Sequence, residues 1–352
     1  MQDFFDRSPE TWTPEHAWDW YHSRPRPFGV NFVPSYACNA TEMWMPETFN
    51  LDTVRRELRW IGEAGFNCVR VFLSFCEWKR QQYAFLDRFE ILLDLARSSG
   101  LTVIPVLFDD RNPAGIEPYD GWQPEPRALV RNGCWTPTPG ASLADDPARY
   151  GELRAYVRSL LETYRTDERI LFWDLYNEPG AAGRGSESLF LLEYAFCWAR
   201  GCKPVQPLTA GMWASGAWNG QQFCEEICLI LSDFVSLHWY GDAPSLAARL
   251  DALAGNGLPV VCTEWFARPL GEDYAACLPL FAERDAGCVQ WGFVNGRTQT
   301  HIPPKWDPAA GEPEVWYQDN VLPDGSWYND LEKKPIAEYG RACRRQENAG
   351  RE

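Results

Sequence analysis

The sequence predicts an α/β fold, a single (β/α)8 barrel with long loops over its C-terminal face. Three observations carry this. Short apolar runs of strand length alternate eight times with stretches of helical spacing along 352 residues, and that alternation builds a parallel sheet. The length exceeds the about 250 residues of a bare barrel by enough to supply long loops. Two of the apolar runs also end on a glutamate. One begins Ile170-Leu171-Phe172-Trp173 and reaches Asn177-Glu178 before Pro179-Gly180; the other runs from Leu258 to Thr263-Glu264-Trp265. Pro and Gly cannot continue a strand, so Glu178 sits at a strand's C-terminal tip, where barrels carry their chemistry. An open doubly wound sheet is the rival architecture. No Gly-x-Gly-x-x-Gly follows the first strand, so its nucleotide-binding form has no support.

In chain order, residues 1–27 form a polar, aromatic extension with a short helix over 14–23, packing on the outside of the barrel or closing its bottom. Residues 28–33 are the first strand, and the loop behind it carries Tyr36, Asn39, Glu42 and Trp44. A helix over 52–64, with Val54, Leu58 and Ile61 on one face, stops at Gly65. The strand over 67–73 holds Arg70 inside an apolar run; buried there, it needs a carboxylate partner. A helix over 85–99 ends at Gly100, and the strand over 102–108 runs into Asp109-Asp110. Residues 111–145, rich in Pro, Gly and Trp and including Trp135, are too long for an ordinary connection and read as a wall or lid of a cleft. Helices follow over 147–164, 186–200 (Ser186 as N-cap), 221–229, 245–254, 274–284 and 333–345. Between them lie strands at 207–212, 234–240, 258–264 and 287–293. The segment after the last strand, with Asn295 through Trp306, is dense in groups that bond hydroxyls. The expected units are thus an extension (1–27), a barrel (28–295), and a C-terminal loop and last helix (296–352), all in one domain.

A net charge of −16 argues against nucleic acid or an anionic membrane surface as partner. It is compatible with a neutral substrate but selects none. Aromatics are 14% of residues with 18 Trp, which suits a carbohydrate cleft, since flat rings pack on sugar C–H faces. The 12 Cys form no C-x-x-C and no zinc spacing. They read as reduced, buried thiols in a cytosolic protein. No basic-then-apolar leader opens the chain and no window is apolar enough to span a membrane, so a cytoplasmic location is expected, with a trimmed exported form as the alternative.

Two glutamates at strand ends of one barrel suit retaining glycoside hydrolysis. One protonated carboxyl donates to the leaving oxygen while an ionised one attacks the anomeric carbon, the two standing about 5–5.5 Å apart. Environment must then push their pKa values apart. Glu264 is expected as nucleophile, held ionised by Arg70 and Tyr240, and Glu178 as acid/base. His238 would orient Glu178 or bond substrate, Asn177 would bond a sugar hydroxyl, and Trp291 would floor the subsite.

The ordered set Arg70, Asn177-Glu178, His238-x-Tyr240, Glu264 and Trp291 resembles the retaining β-glycosidases of clan A, most closely glycoside hydrolase family 5. In that family an Arg on strand 2, Asn-Glu on strand 4, His-x-Tyr on strand 6, Glu on strand 7 and Trp on strand 8 serve these roles. The resemblance covers about residues 28–295. It implies an enzyme that cleaves β-linked oligosaccharides or glycosides by double displacement, with carbohydrate as partner and no cofactor or metal. The stretch from Trp291 to Thr300 also resembles bacterial proteins labelled cellulase or β-1,4-xylanase. One departure stands out: where the family has a His at the end of strand 3, this chain has Asp109-Asp110, so a sugar hydroxyl would meet the Asp109 carboxylate. Glu42, Trp44, Trp135 and Asn295 are further expected substrate contacts from the top loops.

Rival readings differ in what they require. A metal-dependent hydrolase needs several His ligands, and the chain has four His in all, with no H-x-H or H-E-x-x-H. A serine hydrolase needs Gly-x-Ser-x-Gly, which Gly183-Arg184-Gly185-Ser186 does not supply. A non-catalytic sugar-binding barrel predicts loss of one glutamate. A β-galactosidase- or β-mannosidase-type hydrolase of clan A remains open. Loops 31–50, 111–145 and 295–320 would wall a pocket, which favours exo over endo cleavage.

Overall fold

The computed structural model describes residues 11–213 and 221–349. Eight strands form one closed parallel barrel in sequence order: β1 (Phe28–Asn31), β2 (Cys68–Phe72), β3 (Thr102–Asp109), β4 (Trp173–Asn177), β5 (Leu208–Trp213), β6 (Val235–His238), β7 (Val260–Glu264) and β8 (Gly287–Trp291). Closure comes from β1 pairing β8, with Asn31 opposite Trp291. The fold is therefore the predicted (β/α)8 barrel. Of its 42 strand residues none is exposed, as expected of strands covered on both faces. Registers slip once within β4–β5 and once within β6–β7, beside Asn177 and His238, and the irregularity re-aims the residues at these strand ends.

Side chains cap the starts of several helices. α1 (Pro14–His22) has Thr13 at its N-cap and Pro in its first turn. It closes the barrel bottom: Trp20 stacks on Phe234 at 5.5 Å and, with Tyr21, packs against Cys68, Ile104, Val261 and Val289. In chain order follow α2 (Ala40–Trp44), α3 (Leu51–Ala64), α4 (Phe75–Arg80), α5 (Gln82–Ser98), α6 (Ala141–Ala144), α7 (Tyr150–Tyr164), α8 (Leu189–Gly201), α9 (Gln221–Leu231), α10 (Ala243–Ala254), α11 (Tyr274–Glu283) and α12 (Lys333–Ala349). Among the described residues, no helix is long and apolar enough to cross a membrane.

Three expectations need correction. The apolar run 170–172 is not strand. Ile170 makes only an isolated bridge to Val103, and Leu171 and Phe172 turn into the bottom cluster, so β4 starts at Trp173. Ser186 caps nothing: it lies in a 3-10 turn (Gly185–Ser188), and α8 begins after it. The short helices α2, α4 and α6 were not anticipated, because four to six residues are too few for a period to register. Residues 1–10 of the extension and 350–352 of the C-terminal segment lie outside the described residues.

Candidate active site

The strand tips converge on two glutamates. Glu178 follows β4 with φ of 46°, a left-handed backbone unusual for a side chain this size and of the kind that collects at functional sites. Its N–H donates to the Gly211 carbonyl on β5 and its own carbonyl accepts from Ala181, which fix the turn. Glu264 ends β7. Both are nearly buried, at 4% and 5% exposure. His238, at the end of β6, lies between them: Nδ1 donates to Glu178 Oε1 at 2.8 Å and stands 3.6 Å from Glu264 Oε2. One carboxylate oxygen of each glutamate and a His238 nitrogen lie within 4.8 Å of one another. Gly211 makes this possible, since a Cβ there would stand 2.8 Å from His238 Nε2.

Arg70 organises the floor. Nη1 donates to Glu264 Oε1 at 3.0 Å and to Asn31 Oδ1 at 2.8 Å; Nη2 donates to Asn177 Oδ1 at 2.7 Å; Nε donates to Asp174 Oδ2 at 2.9 Å. The buried guanidinium thus has the carboxylate partner it requires, in Asp174 as well as Glu264. Tyr240 donates to Glu264 Oε2 at 3.0 Å. Asn177 donates in turn to Asp109 Oδ1 at 2.7 Å. Asp110 anchors the turn behind Glu178, accepting from Gly180 N at 2.7 Å, Tyr176 Oη at 2.8 Å and the Ser188 hydroxyl.

A cavity of about 390 Å³ opens above the pair. Asn177, Glu178, Tyr240, Glu264, Trp291 and Trp135 line it, as expected. Trp135 and Trp291 meet edge to face at 5.9 Å. Four other expected contacts do not reach it. Trp44 is fully buried among Phe49, Phe85 and Phe89, with Nε1 donating to the Phe72 carbonyl, because its loop coils into α2 against the barrel flank. Glu42 accepts from Cys38 N at 2.7 Å and pairs with Arg297 at 3.2 Å. Asn295 is held against Val321 by its backbone and lines no part of the cavity. Asp109 is 3% exposed and committed to Asn177, the Trp135 indole and the Arg111 N–H, so it holds other residues rather than a sugar hydroxyl. Loop 31–50 contributes no lining residue; the walls come from 111–135 and 303–317.

Sequence reasoning missed Asp174 and Arg111. Asp174, a lone acid inside a strand, was a legible signal for Arg70's partner. Arg111 sits in an aperiodic loop and gave none. Its Nε stands 3.4 Å from Glu178 Oε2, and its guanidinium lies over Trp213 at 5.6 Å.

That position alters the electrostatics. Burial pushes both carboxyls up. For Glu178 it is outweighed by Arg111, His238 and Arg70, which hold it below the usual carboxylate range. For Glu264, burial and the charge of Glu178 outweigh His238, Arg70 and Tyr240 and leave it raised. The two shifts run opposite to the order expected of an acid Glu178 and an ionised Glu264, and the Arg111 charge is the largest of the influences that lower Glu178. Burial also raises Asp109 to about 7.

Among the described residues, Glu178, His238 and Glu264 are the set close enough together to ligate a metal ion. Guanidiniums already touch both carboxylates, which disfavours a dication between them.

No protein-family model matches the chain, and no curated protein matches it. Solved structures do. An exo-β-1,4-mannosidase from Opitutaceae bacterium strain TAV5 superposes with a TM-score of 0.61 at 19% identity, covering 92% of this chain and 60% of that one. This chain therefore spans less than two thirds of that protein's length. The GH5_18 protein from Streptomyces cattleya, in complex with GlcNAc, gives 0.62 at 16% identity, covering 91% and 81%. An endo-β-1,4-mannanase from Thermotoga petrophila gives 0.61 at 14%, covering 92% and 78%. At such identities these likenesses establish the barrel fold that the strand pairing independently displays.

Proposed function

We propose that the chain is a retaining β-glycoside hydrolase. The observation that carries this is the convergence of Glu178 and Glu264 on His238, with carboxylate oxygens within 4.8 Å, at the floor of an aromatic-walled cavity. Retention needs about 5–5.5 Å between the carboxyl groups; inversion needs more room for a water. Glu178 gives its proton to the leaving oxygen and Glu264 attacks the anomeric carbon. Glu178 then takes a proton from the water that releases the sugar. Arg70 and Tyr240 hold Glu264 on line, and Trp291 and Trp135 face the ring. Arg111 lowers the Glu178 carboxyl, so a substrate that draws this guanidinium aside favours the proton on Glu178.

Exo action on short β-glycosides is the finer proposal. It is supported by a cavity at the small end of the about 300–1,000 Å³ range of ligand sites, walled by two long loops. β-Mannosides are the first substrate class to try, on the activities of the mannosidase and mannanase neighbours. Ten of twelve thiols are buried, which supports action in a reducing compartment. The test is a panel of aryl β-glycosides (mannoside, glucoside, galactoside, xyloside) with wild type beside Glu178→Gln and Glu264→Gln. Turnover of at least one, lost by about 10²–10⁴-fold in each variant, is expected. Turnover indifferent to both changes sinks the proposal. The contact of Arg111 with Glu178 favours one rival, a non-catalytic sugar-binding barrel, whose signature is binding of a panel sugar without turnover.

A further inference from the structure

The charge of the cavity is at odds with that of the chain. In a protein of net charge −16, the Asp, Glu, Lys and Arg side chains lining the cavity among the described residues are three cations, Arg111, Arg131 and Lys305, and the two glutamates. Glu264 is already paired to Arg70, and the working pair shares one proton. The lining therefore carries a positive excess that hydroxyl groups do not need.

Among the described residues, two of these cations make no ion pair. Arg131, partly buried in the wall, spends its guanidinium on neutral acceptors. Nη1 donates to the carbonyls of Thr300 and Ile302 and Nη2 to the Gln318 amide oxygen, while the group lies over the Tyr317 ring at 4.9 Å. Among the described residues, no carboxylate stands within ion-pair distance of it. The nearby Asp319 accepts from the Thr300 hydroxyl at 2.7 Å. Burial lowers the Arg131 pKa, and the field of Asp319, beyond ion-pair distance, offsets this only in part. Among the described residues, Lys305 likewise makes no ion pair. It stands at the rim on a left-handed backbone (φ 60°) between Pro304 and Trp306, both of which line the cavity. The third cation, Arg111, has only Glu178 for a partner, at 3.4 Å, and Glu178 Oε2 accepts no hydrogen bond. Elsewhere in the chain, cations such as Arg200, Arg268 and Arg169 close bidentate or networked pairs. Arg24 and Arg88, away from the cavity, also make no ion pair among the described residues, and burial lowers their pKa values. What sets the cavity apart is that it gathers Arg111, Arg131 and Lys305 on one lining.

We propose that the substrate is an anionic glycoside, its carboxylate, phosphate or sulfate group met by Arg111, Arg131 and Lys305 while the aromatic walls hold the sugar ring. This rests on the hydrolase reading and names its substrate class. The anion completes the compensation of Arg131. It also draws the charge of Arg111 from Glu178, which favours the protonated Glu178 that the first step requires. The negative exterior does not oppose this at physiological salt, where fields are screened over about 8 Å. Inside the cavity the guanidinium forks are pre-organised for planar oxyanions.

The test pairs nitrophenyl β-mannoside and β-glucoside with their uronide, phosphorylated and sulfated counterparts, and adds β-linked disaccharides with uronate at the reducing end. At low salt at least one anionic probe is expected to exceed its neutral parent about tenfold or more in kcat/KM, with the ratio shrinking as salt rises. Which probe wins identifies the anion. Arg131→Met and Lys305→Met each lower the anionic-to-neutral ratio, and Arg131→Lys, which keeps the charge, retains most of it. Lys305 is exposed, so its variant folds even if the Arg131 change does not. Neutral parents cleaved as well as every anionic probe overturn the inference and leave the hydrolase reading standing. If nothing is cleaved, the hydrolase reading fails for these probes, and binding followed by tryptophan fluorescence decides. Preferential binding of anionic probes, weakened by Lys305→Met, upholds the anion site; equal binding or none overturns it.

Discussion

Arg70→Met is expected to cost about 3–5 kcal/mol of folding stability, the range for stripping one partner from a buried ion pair. The guanidinium is fully buried, and its donors go to Asp174, Glu264, Asn31 and Asn177. Removing it leaves Asp174, also fully buried, with an uncompensated charge, and leaves Glu264 with Tyr240 and His238 only. In a protein of 352 residues the loss corresponds to a fall in Tm of roughly 4–7 °C. The cost arises from the orphaned acid rather than from packing, so it is non-additive. Arg70→Met with Asp174→Leu should be less destabilised than the sum of the singles by about 2–3 kcal/mol. Equilibrium urea unfolding of the four proteins of this cycle, followed by tryptophan fluorescence, measures it. A single-variant cost below about 1 kcal/mol, or simple additivity of the two changes, would refute the view that one shared guanidinium holds the floor of the site together.

Stability should fall as pH rises from about 5 to 8. Burial raises Asp319 to about 6, Asp109 to about 7 and Glu272 to about 8 in the folded chain, above their unfolded values. In that window the folded state therefore holds protons that the unfolded chain has released, and unfolding becomes easier with rising pH, by at most about 1.4 kcal/mol per pH unit for each group. His301, whose pKa burial lowers, works in the opposite direction as one group against three. Urea midpoints that stay flat or rise over the window contradict this, and Glu272→Gln should flatten the slope. Gly211→Ala pushes a Cβ to 2.8 Å from His238 Nε2 and 3.4 Å from Arg70 Nη2, so it should cost about 1–3 kcal/mol and most of the activity. Wild-type turnover in that variant would mean His238 need not hold its place. Trp291→Leu should raise KM and lower kcat/KM about three- to tenfold, with Trp291→Phe keeping most of it; equal kinetics for both variants and wild type would remove Trp291 from the sugar face.

Much of the site was legible because strand ends are punctuated. Pro179-Gly180 stops β4 behind Glu178, and a lone Arg in an apolar strand announced that Arg70 needed an acid. What was not legible lies in the loops, where no period constrains direction. Trp44 and Glu42 looked like cleft residues because they follow β1, yet Asn39 caps a five-residue helix that turns both away from the cavity. Asp109 was read as facing sugar because a chain position says nothing of which neighbours claim its oxygens. Arg111, two residues on, swings over the cavity onto Glu178, and with it the proton balance of the pair departs from expectation.

The most direct test of the double-displacement reading is azide rescue of Glu264→Ala with whichever aryl β-glycoside the wild type cleaves. Without the nucleophile, a small anion can enter its place on the face opposite the leaving group. The account predicts restored turnover and an α-glycosyl azide product by NMR. Rescue of Glu264→Ala as a β-glycosyl azide, or no rescue by azide in a folded variant, would contradict the assignment of Glu264 as nucleophile.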